Sequence, residues 1–316
     1  MSDRKKLVLL LVVALVVILL YLGLGLNSRN WDYALPRRIP KLMAIVLTGS
    51  AIAFSTVVFQ TITNNRILTP SVMGLDSLYL TVQTILVFVF GSGSAFVLNK
   101  NLNFVIAVGL MVLFAALLFR VLFKKDSTNI FFLLLVGMIL GTLFGSMSSF
   151  LQMVIDPNEF LIVQNKMFAS FNNVNTGILT LSGIIFLAIV LYTWRYFKTF
   201  DVLALGREQA INLGVEYEKI VKRMLLIIAI LVSVSTGLVG PITFLGLLVA
   251  NLAREFVSSY QHKYIVAGAV LISVIALVGG QILVERIFNF STPISVLINL
   301  IGGVYFIYLL LKEQRI

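Results

Sequence analysis

The sequence predicts an all-α polytopic membrane protein of about ten transmembrane helices, with both termini on the cytoplasmic side. Nine stretches contain no Asp, Glu, Lys or Arg: 7–28, 42–65, 77–99, 101–119, 127–155, 167–194, 224–253, 264–284 and 287–311. At 1.5 Å of rise per residue, roughly 20 apolar residues cross the hydrocarbon. Composition agrees, with 59% of residues hydrophobic, only 12% charged and a mean hydropathy of +1.04. A soluble domain carries about 25% charged residues. Spans and short links use nearly the whole chain, so residues 1–316 read as a single membrane domain with one larger polar segment near 199–219.

The placement of cations sets the topology. Lys and Arg favour the cytoplasmic side of short loops. With the N-terminus inside and the spans alternating, 17 of the 24 basic residues fall inside and 7 outside. The net charge of +11 therefore belongs to loops beside membrane spans and not to a nucleic-acid surface. No cysteine is present, which excludes disulfides, thiol chemistry and Cys-ligated metal centres.

The elements follow in order. The run at 7–28 sits behind Arg4, Lys5 and Lys6 as a signal peptide would, but its length and its lack of a small-x-small cleavage site mark it as a retained first helix. Arg37, Arg38 and Lys41 precede the second span and, with Arg286, break the inside-positive trend on the outer side. Asp76 stands just before the third span, as an N-cap or as part of an inner gate. Gly137, Gly141 and Gly145 form a doubled Gly-x-x-x-Gly on one face of the fifth span, suited to close packing inside the subunit or between subunits. Beyond them Ser146, Ser148, Ser149 and Gln152 either line a pathway or bond back to their own helix. The segment 171–176 reads as outer loop.

The largest polar segment, 195–223, fits two short inner helices separated by glycines, with Asp201 able to cap the first. It reads as a solvated loop or as a docking element. The run at 224–253 is too long for one span and short for two; a single kinked span would give nine spans in all, and two helices give ten. Proline lacks a backbone donor and clashes with the preceding turn, so Gly240-Pro241 predicts a break there and two helices, the second short. Broken backbone at membrane depth needs cover from protein or a water-filled cavity. His262, the only histidine, reads as inner loop and excludes a multi-histidine metal site; Glu285 can pair with Arg286 or with an extracytoplasmic partner protein.

Two segments carry a family likeness. The first contains Leu205-Gly206, then Ala210, then Leu213-Gly214; the second contains Gly240-Pro241-Ile242, Phe244, Gly246-Leu247 and Leu252-Ala253-Arg254. In this order and spacing they resemble the permeases of bacterial ABC importers for iron chelates and cobalamin. Arg38-Ile39-Pro40-Lys41, the Asn65–Pro70–Gly74 loop, and Pro293, Val296, Leu300, Ile301, Gly302 and Phe306 extend the resemblance along the chain. Arg66 stands in place of a proline of that loop, Ala250-Asn251 in place of Pro-His, and Val304 in place of a proline. The stretch 48–83 is most similar to the catecholate or petrobactin-type branch.

The resemblance implies a cobalamin-importer-like permease in the bacterial cytoplasmic membrane, moving a ferric siderophore. Its implied partners are a second permease subunit (a related chain or itself), two ABC ATPases that hold ATP and Mg, and an extracytoplasmic siderophore-binding protein. It assigns ATPase coupling to Leu205, Gly206, Ala210, Leu213 and Gly214, and binding-protein docking to Arg37, Arg38, Lys41 and Arg286. Asp76, Ser146, Ser149 and Gln152 become candidates for the pathway or gate. Gly137, Gly141, Gly145, Gly240, Pro241 and Gly246 become helix-packing positions. The chain itself has no Gly-x-x-x-x-Gly-Lys phosphate loop, since no glycine is followed by lysine, and no catalytic constellation, so no cofactor, metal or enzymatic step is expected on it. An ion-gradient-driven secondary transporter is the alternative; such proteins place ionisable residues inside the membrane, and here only Asp76, with Glu255 or Arg286, approaches that position, each with an interfacial placement open to it.

Overall fold

The computed structural model describes residues 2–27, 31–123, 130–172 and 174–313. Of the cations in the topology count, Arg29, Lys124, Lys125 and Arg315 lie outside the described residues, as does Asn173 of the 171–176 segment. The described chain is helical throughout: α1 (Asp3–Gly23), α2 (Trp31–Thr63), α3 (Leu75–Phe90), α4 (Ala95–Leu98), α5 (Lys100–Leu122), α6 (Ile130–Val154) and α7 (Pro157–Met167) form the first half. Then come α8 (Thr176–Thr193), α9 (Phe197–Leu203), α10 (Arg207–Asn212), α11 (Tyr217–Val239), α12 (Leu245–Phe256), α13 (His262–Arg286) and α14 (Ile294–Glu313). Two 3-10 turns intervene, Pro70–Met73 and Trp194–Tyr196.

Among the described residues eight helical stretches are long and apolar enough to span a bilayer. The ten expected spans resolve into these eight and two shorter helices, α3 with 16 residues and α12 with 12. The third uncharged run is shorter as a helix than as a sequence because Gly91, at φ +75°, ends α3 and a separate turn, α4, follows. The break at Gly240-Pro241 is present: α11 stops at Val239 and α12 begins at Leu245.

Contacts between loops sort by side, as alternating spans require. Lys6 Nζ donates to Ser258 Oγ (2.7 Å), Lys222 Nζ to the Phe123 carbonyl (2.8 Å) and Asn251 Nδ2 to the Arg66 carbonyl (3.0 Å), all on the predicted inner side. Arg38, Lys41, Glu285, Arg286 and the Leu22 and Leu24 carbonyls meet on the other side.

Helices α2 and α11 occupy the centre, and α1, α5, α6, α8 and α14 present mostly exposed apolar faces around them. Small and hydroxylated residues let the central helices approach. A Cβ on Gly49 would sit 2.9 Å from Ser273 Oγ of α13, and one on Gly246 would collide with the Thr56 side chain, so α12 packs closely on α2 at this glycine. Gly302 of α14 meets Phe244 in the same way.

Candidate functional site

At the inner end, α8 continues through the turn at Trp194–Tyr196 into α9, and α10 follows after the three residues Ala204, Leu205 and Gly206. Gly206 has φ +98° and Gly214 φ +82°, conformations that L side chains rarely adopt, so each glycine lets the backbone turn where α10 must start and stop. Ala210 is fully buried beneath α10, its N–H donating to the Gly206 carbonyl at 3.0 Å. Leu205, Ile211 and Leu213 stand exposed, which makes a small apolar knob on the inner face. Arg207 pairs with Glu218 at 3.2 Å and ties α10 to the start of α11.

Asp201 does not cap α9. It lies within that helix and turns to α13, accepting the His262 backbone N–H at 2.7 Å and approaching Nδ1 at 2.7 Å. His262 is correspondingly not in a loop: it is the buried first residue of α13, with Nε2 2.8 Å from Thr61 Oγ1 of α2 and its ring against Phe200 of α9. One imidazole thus joins three elements. The sequence signal for it was slight, because the partners lie 61 and 201 positions away.

The outer cations divide. Arg37 is exposed and stacks on Tyr33 at 4.0 Å. Arg38 Nη1 donates to the Leu22 carbonyl (2.6 Å) and holds the end of α1. Arg286 is exposed and donates to the Leu24 carbonyl. Lys41 is largely buried and pairs with Glu285 at 2.7 Å, so Glu285 takes Lys41 as its partner and not its neighbour Arg286. Gln281 and Tyr21 complete that cluster by donating to the same Glu285 oxygen. Nearby, Lys100 and Lys166 border a cavity of about 460 Å³ beside Gly240. Burial pushes the Lys166 amine below the usual lysine range, and the Lys100 charge adds to the shift.

At membrane depth α3 and α6 share a polar seam: Thr81 Oγ1 donates to the Phe144 carbonyl (2.8 Å), Thr84 and Ser148 hydroxyls lie 2.9 Å apart, and Gln152 Nε2 donates to Ser148 (2.8 Å). Gln152 therefore turns into the seam, whereas Ser146 and Ser149 face outward from the subunit. The glycine stripe divides likewise. Cβ atoms on Gly137 and Gly141 would lie 3.0 and 3.1 Å from the Met73 and Gly74 Cα atoms, so these two pack inside the subunit; Gly145 faces open space.

Asp76 is not the cap of α3, a place taken by Gly74 at φ +77°. It lies in the first turn and accepts from Thr236 Oγ1 at 3.3 Å, beside a cavity of about 20 Å³ that Thr56, Ser71 and Thr243 also border. This is where α2, α3, α11 and the Gly240-Pro241 break converge. Gly240 itself, at φ +101°, abuts Ala169, and the Val239 carbonyl accepts from Ser170 N–H at 2.8 Å, so protein covers the broken backbone. Among the described residues no group of His, Asp and Glu is arranged to hold a metal ion.

Residues 7–312 match the profile of the FecCD transport family. The chain belongs to that family. It is 65% identical over 286 residues to the petrobactin import system permease protein YclO of Bacillus subtilis, covering 90% of this chain and 91% of the relative. It is 34% identical over 291 residues to the petrobactin import system permease protein FatC of Bacillus anthracis, covering 92% and 82%. A solved inward-facing conformation of a metal-chelate type ABC transporter superposes with a TM-score of 0.85 at 24% identity, covering 98% of this chain and all of that one, and shows the fold. This FecCD permease is thus a multi-pass subunit of an ABC importer in the cytoplasmic membrane and not itself an enzyme. Such a permease works with a separate ATPase and a second permease.

Asn251 Nδ2 of α12 donates to the Arg66 carbonyl at 3.0 Å. Gln60 Nε2 donates to the same carbonyl at 2.6 Å. The loop between α2 and α3 is therefore held by amide donors.

Proposed function

We propose that this permease moves a ferric siderophore of the petrobactin or catecholate type inward, as one half of a permease pair. The observation that carries this reading is the 65% identity to a petrobactin import permease across nine-tenths of both chains. The partners are two ABC ATPases, which bind ATP and Mg, and an extracytoplasmic siderophore-binding protein. Residues 1–316 act as a single permease domain.

In this reading the exposed Leu205 and Leu213, on a turn shaped by Gly206, Ala210 and Gly214, seat in the ATPase. ATP-driven approach of the two ATPases pushes α9 and α10, and the Asp201–His262–Thr61 link passes that displacement to α13 and α2. Arg37 and Arg286 offer exposed charge to the binding protein; Arg38 and Lys41 hold the surface that presents them. Ser146 and Ser149 face the pathway between the two permeases, and the Asp76 cavity acts at the gate beside the α11–α12 break. The cycle is alternating access, driven by unequal binding of the partners to two states.

The test is uptake of radiolabelled ferric petrobactin into vesicles that contain this chain, its partner permease, the ATPase and the binding protein, with ATP supplied on the ATPase side and ion gradients collapsed. Uptake that requires ATP and the binding protein is the expected result. Uptake that ignores ATP and follows an imposed ion gradient overturns the reading in favour of a secondary transporter.

A further inference from the structure

Helices α8 and α13 both lean on α2, and at their inner ends they leave a gap between them. This crevice of about 810 Å³ reaches up from the turn at Trp194–Tyr196, against α9. Its walls are Phe54 of α2, Phe186 and Val190 of α8, and Val266 and Val270 of α13. Its mouth is different in kind. Arg195, Lys198 and Lys263 border it there, all three exposed. The one carboxylate on the lining, Asp201, has its Oδ1 committed to His262. Trp194 stands exposed beside them, with Tyr192 and Tyr196 forming the stack that holds the Arg195 guanidinium at 4.3 and 5.1 Å.

The order of these groups along the membrane normal matches one kind of molecule. Aromatic rings with a polar edge collect at the level of lipid headgroups. Three cations at that level attract negative charge on the inner leaflet. From Lys263 to Val270 helix α13 rises about 10 Å, which brings the apolar walls into acyl-chain depth directly above the cations. An aqueous anion would meet the mouth but gain nothing from the apolar walls, and a neutral lipid would fill the walls but gain nothing from the cations.

We infer that the crevice between α8 and α13 binds an anionic phospholipid of the inner leaflet, with its headgroup on Arg195, Lys198 and Lys263 and an acyl chain against Phe54, Phe186 and Val266. The site abuts α9, so the lipid fills space that would otherwise be a void beside the element joined to His262.

Trp194 supplies the reporter, because Trp31, the other tryptophan, can be removed as Trp31→Phe. The permease–ATPase complex carrying this change is placed in bilayers that contain phosphatidylglycerol or phosphatidylcholine with brominated acyl chains, and quenching of Trp194 is titrated. Phosphatidylglycerol should associate several-fold more strongly than phosphatidylcholine. Each of Arg195→Gln, Lys198→Gln and Lys263→Gln should reduce that preference by up to about fivefold. Ala267→Phe, which fills the crevice from α13, should abolish quenching by the tightly held lipid. All variants are first checked for normal ATPase binding. Equal association of the two lipids overturns the inference, as does a preference that survives the neutralising changes or Ala267→Phe. Protection of Trp194 from both lipids, as a second copy of the chain seated there would give, also overturns it.

Discussion

His262 Nδ1 lies 2.7 Å from Asp201 Oδ1, and this contact fastens the inner end of α13 to the short helix α9. The other ring nitrogen reaches Thr61 of α2, so each nitrogen has a fixed partner and the ring cannot turn without losing one. The ring thus ties α9 to both long helices through side chains far apart in the sequence.

Breaking that link should separate hydrolysis from transport. Asp201→Ala leaves the buried imidazole without its partner, at a cost of about 1–3 kcal/mol. ATP hydrolysis in the assembled importer should persist while the amount of chelate moved per ATP falls. Equal stoichiometry in the variant and the parent, at equal membrane levels, would exclude a coupling role.

Bulk at the α9–α10 turn should act more severely. Gly206→Leu forces a side chain into φ +98°, and Ala210→Leu overpacks a fully buried site, at about 1–3 kcal/mol each. Both should still insert in the membrane, and both should lose capture of the ATPase in detergent. Normal capture and normal uptake by both variants would remove these residues from the contact.

The outer cations should give two different phenotypes. Arg37→Glu and Arg286→Glu should weaken binding-protein docking, and more so at low salt, since exposed charges are screened beyond about 10 Å at 0.1 M. Lys41→Ala should instead lower the thermal midpoint, because Glu285 loses its ion pair in a site where both side chains are 13% exposed. Affinity titrations at two salt concentrations, together with melting curves, distinguish the two classes; a docking defect in Lys41→Ala without a stability change would reverse the assignment.

The glycine stripe on α6 should show two grades of tolerance. Gly141→Leu collides with the Gly74 backbone and should destabilise the subunit by about 1–3 kcal/mol or more, the range for overpacking. Gly145→Leu enters open space, so the isolated subunit should melt normally. Cross-linking of the permease pair then tells whether the Gly145 face is used between subunits.

Lys166 should be a position of stored electrostatic cost. Burial and the nearby Lys100 both disfavour its charged form, so its pKa is lowered. A lysine depressed in this way destabilises the fold while it is protonated, and the penalty fades as pH rises through its folded pKa. Lys166→Met should raise the melting midpoint at neutral pH, with a smaller gain at alkaline pH. A lower midpoint at neutral pH would show that the charge is compensated.

Much of the architecture was legible because a bilayer imposes one-dimensional rules. A run without charge must be helical to satisfy its backbone, and loop cations report orientation. The break after Val239 was legible for the same reason, since Gly240-Pro241 cannot continue a helix. The two short helices of the segment 195–223 were legible from the glycines that bound them, whereas the exposure of Leu205 and Leu213 was not. Partner choice was not legible. Glu285 prefers Lys41 to its own neighbour Arg286, and Asp201 serves a helix 61 residues away instead of its own, because two faces of different helices meet there.

The amino-acid sequence by itself determined the spans, the orientation, the break and the family, all of which depend on local hydropathy, charge and motif spacing. Only the tertiary structure decided that Asn251 holds the carbonyl of Arg66, that Gly141 packs while Gly145 does not, and that α8 and α13 leave a crevice at the inner leaflet. These depend on the angle at which one helix crosses another. In a chain whose helices are apolar almost all round, periodicity does not report that angle; close contacts at small residues and a few buried hydrogen bonds set it.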